Sequence, residues 1–319
     1  MKEIFKVYEK AGGKELLKRW INAGVLPYAI GQVMLTGLSK KSLEILRNGV
    51  YLKLRNKLHK QYASVLDEFD KLYSPDIYPQ KESRKVWFCW MQGIDKAPLL
   101  VKKCYKSVCK EMHGREIIFL SERNLKEWCQ LPEFIWEKYQ KGIITQTHLS
   151  DLLRIALLAQ HGGTWIDATV YCSSACSTPD YMLDSDFFVF QNLKPGSDGS
   201  VLNISSWFMT AKKNNHIVLV VKELLWRYWQ KENSLIDYFL LHHFISIVSE
   251  RYSEEWKKVY QFPNSLPHVL LLSLFEKFDE TRYEAMLQSS PFHKLSYKFT
   301  EEQMALPETY YKHIIRKYD

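Results

Sequence analysis

Thr147-His-Leu-Ser-Asp-Leu-Leu-Arg-Ile-Ala-Leu-Leu-Ala-Gln-His-Gly-Gly-Thr-Trp-Ile-Asp-Ala-Thr-Val170 changes texture half-way along. In its first half Leu152, Leu153, Ala156 and Leu157 recur at helical intervals. Ser150 reads as the N-cap, which puts Asp151 in the first turn, where the helix dipole favours an anion. Asp151 and Arg154 are three apart and therefore neighbours on one face. Gly162-Gly163 ends the helix, because glycine tolerates the left-handed conformation a C-cap requires. Thr164-Trp-Ile then reads as a short buried strand that delivers Asp167 at its carboxyl end, followed by Ala168 and Thr169.

The flanking sequence repeats that alternation. Lys85-Val-Trp-Phe-Cys-Trp90 reads as a buried strand with a loop at Gln92-Gly93, Ala97 to Met112 as a helix, and Glu116-Ile-Ile-Phe-Leu120 as the next strand. Strand, helix, strand, helix predicts an α/β domain with a largely parallel sheet. Such sheets bind ligands beyond the carboxyl ends of their strands. Residues 1 to 75 read differently, as helices. Glu15-Leu-Leu-Lys-Arg-Trp20 and Ser42-Leu-Glu-Ile-Leu46 show helical spacing, and Val50 to Phe69 continues it with basic residues on the other face of its first half. Ser74-Pro-Asp-Ile-Tyr-Pro-Gln80 breaks that pattern. The expected organisation is a helical, basic segment over 1–80 and an α/β domain over 81–319.

Charge follows the same division. Residues 1 to 60 hold 13 Lys/Arg against 4 Asp/Glu, and the remainder holds 31 against 32, so the whole net charge of +8 originates in the helical segment. A basic stretch favours an anionic surface, lipid or nucleic acid. No zinc-finger or RNP-like spacing accompanies it, which points away from nucleic acid and toward peripheral contact with an anionic membrane. A solvated helical face is the alternative. Trp20 to Ser39 is uncharged but interrupted by Gly24, Pro27, Gly31 and Gly37, unlike a membrane span. The first residues lack a signal-peptide core, and six scattered cysteines without zinc spacing read as reduced thiols, so a cytoplasmic location is expected.

A carboxylate at a strand end beside a ligand crevice is placed to hold a divalent cation. Mg²⁺ and Mn²⁺ take oxygen ligands and bridge carboxylates to substrate phosphates. Such an ion can neutralise a departing pyrophosphate without proton transfer. The alternative is a strand-end Asp capping a turn, with Asp151 and Arg154 as an ordinary ion pair.

Ser150-Asp151-x-x-Arg154 followed by Gly162-Gly163-x-Trp165-x-Asp167 resembles the sugar-binding region of glycosyltransferases that contain the DXD motif. Val86-Trp-Phe-Cys-Trp-Met-Gln-Gly93, Ser205-Ser-Trp-Phe-Met209, Leu235-Ile-Asp-Tyr-Phe239 and Asn264-Ser-Leu-Pro-His268 extend the resemblance to the bacterial capsular polysaccharide synthesis proteins of that group. The resemblance implies a GT-A-like fold that binds a nucleotide-sugar donor, a UDP- or GDP-hexose, with Mn²⁺ or Mg²⁺. By position, Trp90 would stack on the base and Gln92 and Gly93 would approach the nucleotide. Asp151 and Arg154 would contact the donor sugar and ribose, Trp165 would line the pocket, and Asp167 would bind the metal.

The second acidic position of the motif is Thr169, a weak neutral ligand, so the metal needs another partner. The resemblance points to a residue near the carboxyl end, His293 or His268, with His293 favoured and Lys294 beside it meeting the diphosphate. A hydrogen-bonded structural histidine is the alternative for each. His242-His243 reads as core or surface. Asp237, in an apolar helix, either orients the acceptor hydroxyl or caps a helix start. Ser206 and Trp207 border the sugar or belong to a strand crossing the core. The expected reaction is hexose transfer, with retention, to a hydroxyl of a growing, lipid-linked glycan. A non-catalytic nucleotide- or carbohydrate-binding relative and a membrane-associated assembly protein are the rival readings.

Overall fold

The computed structural model of the chain describes residues 13–192 and 201–317. Its centre is a five-stranded sheet of β1 (Lys85–Cys89), β2 (Glu116–Leu120), β3 (Gly163–Ile166), β5 (Phe187–Gln191) and β6 (Ile204–Ala211), in the order β2-β1-β3-β6-β5. β1 pairs parallel with β2 and β3, while β6 is antiparallel to both its neighbours. Four of the five strands therefore run the same way, which is the largely parallel α/β sheet expected, with one reversed strand. A two-stranded antiparallel ribbon of β4 (Val170–Cys172) and β7 (Phe292–Lys294) stands apart from the sheet.

Side-chain alternation along these strands makes two cores. Trp87, Trp165 and Met209 share one row of the register and one face of the sheet; Phe88, Ile166 and Phe208 form the next row and face the other way. Besides the short helix Glu133–Gln140, four longer helices cover the first face. They are the second half of α3 (Lys40–Leu72), α5 (Gln146–His161), α6 (His216–Lys231) and α7 (Leu240–Arg251). The second is covered by α4 (Leu99–Glu111) and the β4–β7 ribbon. A third cluster, around Tyr171, Tyr283 and Tyr310, joins the ribbon's outer side to α8 (Glu280–Gln288) and α9 (Tyr310–Arg316).

From residue 13 onward the N-terminal segment is helical, as the spacing predicts; residues 1–12 of that expectation lie outside the described residues. Helices α1 (Gly13–Ala23) and α2 (Leu26–Thr36) pack on the start of α3 around Ala29, Val50 and Leu54. The Ser42–Leu46 and Val50–Phe69 patterns join into the single helix α3 of 33 residues, whose Leu58, Tyr62 and Leu66 enter the main core. Packing thus continues across the proline-marked break near residue 80. Among the described residues no helix is long and apolar enough to cross a membrane.

One local reading is corrected. Helix α5 begins a turn before Ser150: Thr145 is the N-cap, its hydroxyl accepting from the His148 amide at 3.3 Å. His148 and Leu149 are buried, so the inward stripe starts earlier than the leucine run suggests. Asp151 consequently lies inside the helix, where Arg154 rather than the dipole supports its charge. The glycine pair behaves as expected. Gly162 caps the helix at φ +69°, and Gly163 at φ +96° would drive a Cβ to 2.3 Å from the Lys85 carbonyl oxygen. Only glycine lets β3 lie this close to β1.

Candidate active site

Asp167 is the first residue beyond β3, at the carboxyl edge of the parallel strands, and it opens into a cleft of about 450 Å³. Asp151 and Arg154 of α5 form one wall, Ser206 and Trp207 of β6 another, and Asn264 with His268 the far side. Tyr238 and His242 close it from the start of α7, and Arg47, Asn48 and Tyr51 of α3 border its mouth. A larger hollow of about 770 Å³, between Ser173–Ala175 and the C-terminal helices, shares none of these residues. The strand-end cleft is the one that gathers the predicted polar groups.

Arg154 organises the floor. Its guanidinium donates to the Ser206 carbonyl, lies 3.2 Å from Asp167 Oδ1 and 3.4 Å from Asp151 Oδ1, and sits over the Trp165 ring at 5.1 Å. A planar fork of donors can serve several acceptors at fixed angles, which a lysine cannot. Asp167 Oδ1 also accepts the Trp165 indole N–H at 2.9 Å, and its amide donates to the Trp207 carbonyl at 2.8 Å. The other oxygen, Oδ2, takes Lys294 Nζ at 2.8 Å. Burial pushes the Asp167 carboxyl up, but Lys294, Arg154 and the hydrogen bonds outweigh it and hold the group below the usual carboxylate range.

These residues do not fit a divalent cation. Both Asp167 oxygens already face cationic donors, and Thr169 Oγ1 is bound by the same Lys294 Nζ at 2.7 Å. His293 cannot complete a site with them. On β7 it pairs with Tyr171 and turns to the ribbon's outer side, fully buried, whereas Lys294, opposite Val170, turns inward to Asp167. Burial drives its pKa down to about 3. Alternation along a strand explains the difference: adjacent residues face opposite sides, so only one of the pair reaches Asp167. Among the described residues no group of three His, Cys, Asp or Glu side chains is placed to hold a metal.

The other expected residues divide. Ser206 and Trp207 border the cleft and also belong to the core strand; the Trp207 indole donates to Asn264 Oδ1 at 2.9 Å. Trp165 does not line the cleft: it is buried behind Asp167 and Arg154 and steadies both. Trp90, just past β1, packs edge-on to Tyr297 at 5.2 Å, and its buried indole nitrogen has no partner among the described residues. Gly93, at φ +84°, starts the 3₁₀ turn Ile94–Lys96, and neither it nor Gln92 lines the cleft. His268 does line it, with Nδ1 held by the Asn264 carbonyl at 2.7 Å, and burial lowers its pKa.

Asp237 lies outside the helix, two residues before the N-cap of α7. Its carboxylate accepts from the Phe239 amide at 2.8 Å and faces His243 at 3.4 Å, outside the cleft lining. The next turn supplies the lining instead, through Tyr238 and His242. His242, read from sequence as core or surface, sits in the wall with an unpaired Nδ1, and burial lowers its pKa to about 4. Tyr238 lies in the turn before α7 and His242 in its first turn, so the two meet the cleft four residues apart without sharing a helical face. Arg47 and Tyr51, in the basic segment, repeat that step at the mouth.

A family model described as capsular polysaccharide synthesis protein matches residues 37–314. The chain belongs to the capsular polysaccharide synthesis protein family. The match begins at the turn before α3 and ends within α9, so it includes every cleft residue named above. Among solved structures the family member is similar to one titled PaToxG Glycosyltransferase, at 12% identity and a TM-score of 0.37, over 85% of this chain and 97% of that one. No curated protein matches it.

Proposed function

We propose that the protein is a glycosyltransferase that moves a hexose from a UDP- or GDP-linked donor to a hydroxyl of a growing capsular or surface glycan. The observation that carries this reading is the strand-end cleft lined by Asp167, Arg154 and Asp151, with Lys294 bound to Asp167 beside it. A diphosphate suits the cationic side of that cluster, and sugar hydroxyls suit Asp151, Arg154 and the Ser206 hydroxyl. The Trp90–Tyr297 pair, with its unpaired indole N–H, is a rigid apolar platform of the kind a nucleoside base stacks on.

Retention belongs to the same reading. The carboxylates that line the cleft, Asp151 and Asp167, are both tied to Arg154, so neither is a free nucleophile for a covalent intermediate. Departure and attack on the same face of the sugar needs none. The acceptor proposed is lipid-linked. Met34 and Leu35, on the uncharged helix α2, are more than 80% exposed, and Ile21 and Ile45, on the flanking helices that carry the Lys/Arg excess, more than half. Apolar side chains flanked by cations suit an anionic membrane surface.

The test is release of UDP or GDP from a panel of nucleotide hexoses in the presence of membrane-extracted acceptors, comparing wild type with Asp167→Ala. Release from one donor, reduced at least a hundredfold in the variant, is expected. Nucleotide binding without release from any donor favours the non-catalytic alternative, and equal release by the variant removes Asp167 from the mechanism.

A further inference from the structure

Lys294 occupies a position with a specific geometry. Its ammonium bridges Asp167 Oδ2 at 2.8 Å and Thr169 Oγ1 at 2.7 Å, the first and third residues of the Asp167-Ala168-Thr169 turn. The backbone places it there. Lys294 pairs with Val170 across the ribbon, and the Leu295 amide donates to the Thr169 carbonyl at 2.9 Å. The side chain is 20% exposed and lies beside the cleft, which it reaches through Asp167 rather than by lining it. A lysine ammonium has three N–H donors. Two are directed to Asp167 and Thr169, and one remains for an incoming anion.

The turn suits this cation better than a divalent one. Mg²⁺ requires near-octahedral oxygen coordination at about 2.1 Å, usually with carboxylate ligands. Here one carboxylate is already engaged on both oxygens and the second motif position is a hydroxyl. A threonine hydroxyl accepts readily from an ammonium, however, and leaves its positive charge less neutralised than a second aspartate would.

We propose that Lys294 is the resident cation for the donor diphosphate, and that binding and departure of the nucleotide need no divalent metal. This rests on the reading of the cleft as a nucleotide-sugar site. As the bond between the sugar C1 and the diphosphate oxygen breaks, its electron pair stays on that oxygen, and the charge develops beside Lys294. The acceptor oxygen forms the new bond to C1, and its proton passes to the departing diphosphate. Asp167 is then a positioning residue that aims the ammonium, and Thr169 is its second anchor.

The experiment is calorimetric binding of UDP and GDP to the full chain, in EDTA and in Mn²⁺, alongside nucleotide release under both conditions. Binding of one nucleotide in EDTA within about threefold of that in Mn²⁺ is expected. Lys294→Met should weaken it at least tenfold in EDTA, and Lys294→Arg should restore most of it in a comparably stable protein. The double variant Thr169→Asp/Lys294→Ala should gain Mn²⁺-dependent binding. Wild-type binding abolished by EDTA and recovered with Mn²⁺ overturns the inference while leaving the transferase reading intact. Full binding by Lys294→Met also overturns it. Lys294-dependent binding in EDTA with no release from any donor upholds Lys294 as the cation for the bound diphosphate and overturns the departure step together with the transferase reading. No binding of either nucleotide in any condition overturns both.

Discussion

Replacing Arg154 with methionine tests whether the floor of the cleft is held by one guanidinium. The side chain is 5% exposed and serves Asp151, Asp167 and the Ser206 carbonyl together. Methionine fills much of the volume but leaves Asp151 without its cation and Asp167 with Lys294 alone. Removing one partner of a buried ion pair costs about 3–5 kcal/mol, because the other charge stays buried and uncompensated. A chain of 319 residues has an unfolding entropy of about 0.7 kcal/mol/K, so Tm should fall by about 4–7 °C at pH 7. Arg154→Lys, which keeps the charge but loses the fork, should lie between.

The pH dependence separates charge from packing in the same variant. In wild type the Asp167 carboxyl is held below its unfolded value, so its contribution is present above that value and lost as pH falls through the folded one. Arg154→Met shrinks that depression and leaves less to lose, so the two stability curves should stay apart from pH 7 down to about pH 4 and converge below it, as the carboxyl protonates. Calorimetric scans across both ranges decide the matter. A Tm within 1 °C of wild type at pH 7, or a deficit independent of pH, refutes the account.

His293, pushed to about pKa 3 by burial, should make the protein acid-sensitive for a reason separate from the cleft. Between pH 6.5 and that value the unfolded chain binds a proton the native state refuses, so stability falls with pH by up to about 1.4 kcal/mol per unit. Denaturant midpoints of His293→Leu at pH 6.5 and 4.5 should show a shallower slope than wild type; equal slopes would mean the ring is protonated when folded. Asp237→Asn retains the acceptor for the Phe239 amide, so nucleotide release should stay within about threefold of wild type and Tm within about 2 °C. A tenfold loss of release from a stably folded variant would return Asp237 to the catalytic machinery.

The parts of this fold legible in the sequence are those where local spacing and burial agree. Lys85–Cys89, Glu116–Leu120 and Thr164–Ile166 are short apolar runs that become central strands, and Gly162-Gly163 must be glycine because the adjacent backbone leaves no room for a Cβ. Asp167 at the strand end follows directly from those elements. What the sequence left open depended on contacts between distant segments. His293 and Lys294 are adjacent, and which of them meets Asp167 is settled by the register of β7 on β4, a pairing across more than 120 residues. Asp237 could be a cap or a cleft residue until the start of α7 was placed. His242 carries no local mark of function, since its helix is apolar around most of its circumference and the cleft wall is formed by remote strands.

Helix α3 spans 33 residues, about 50 Å of continuous rod. Its second half is clamped in the core by Leu58, Tyr62 and Leu66, while Ile45 and Leu52 stand bare on its first half, interleaved with the cleft-lining Arg47 and Tyr51. From Ile45 to Leu52 is about 10 Å of axial rise. Under the lipid-linked reading proposed above, lipid against these bare side chains would make the rod a calliper: it cannot stretch, so it would hold the cleft mouth at one set height above the bilayer. An acceptor whose reactive hydroxyl reached that height would then be served. The same molecule, one sugar longer, would present its new end beyond the jaws, and a rigid standoff of this kind would limit transfer to a single residue per anchored chain.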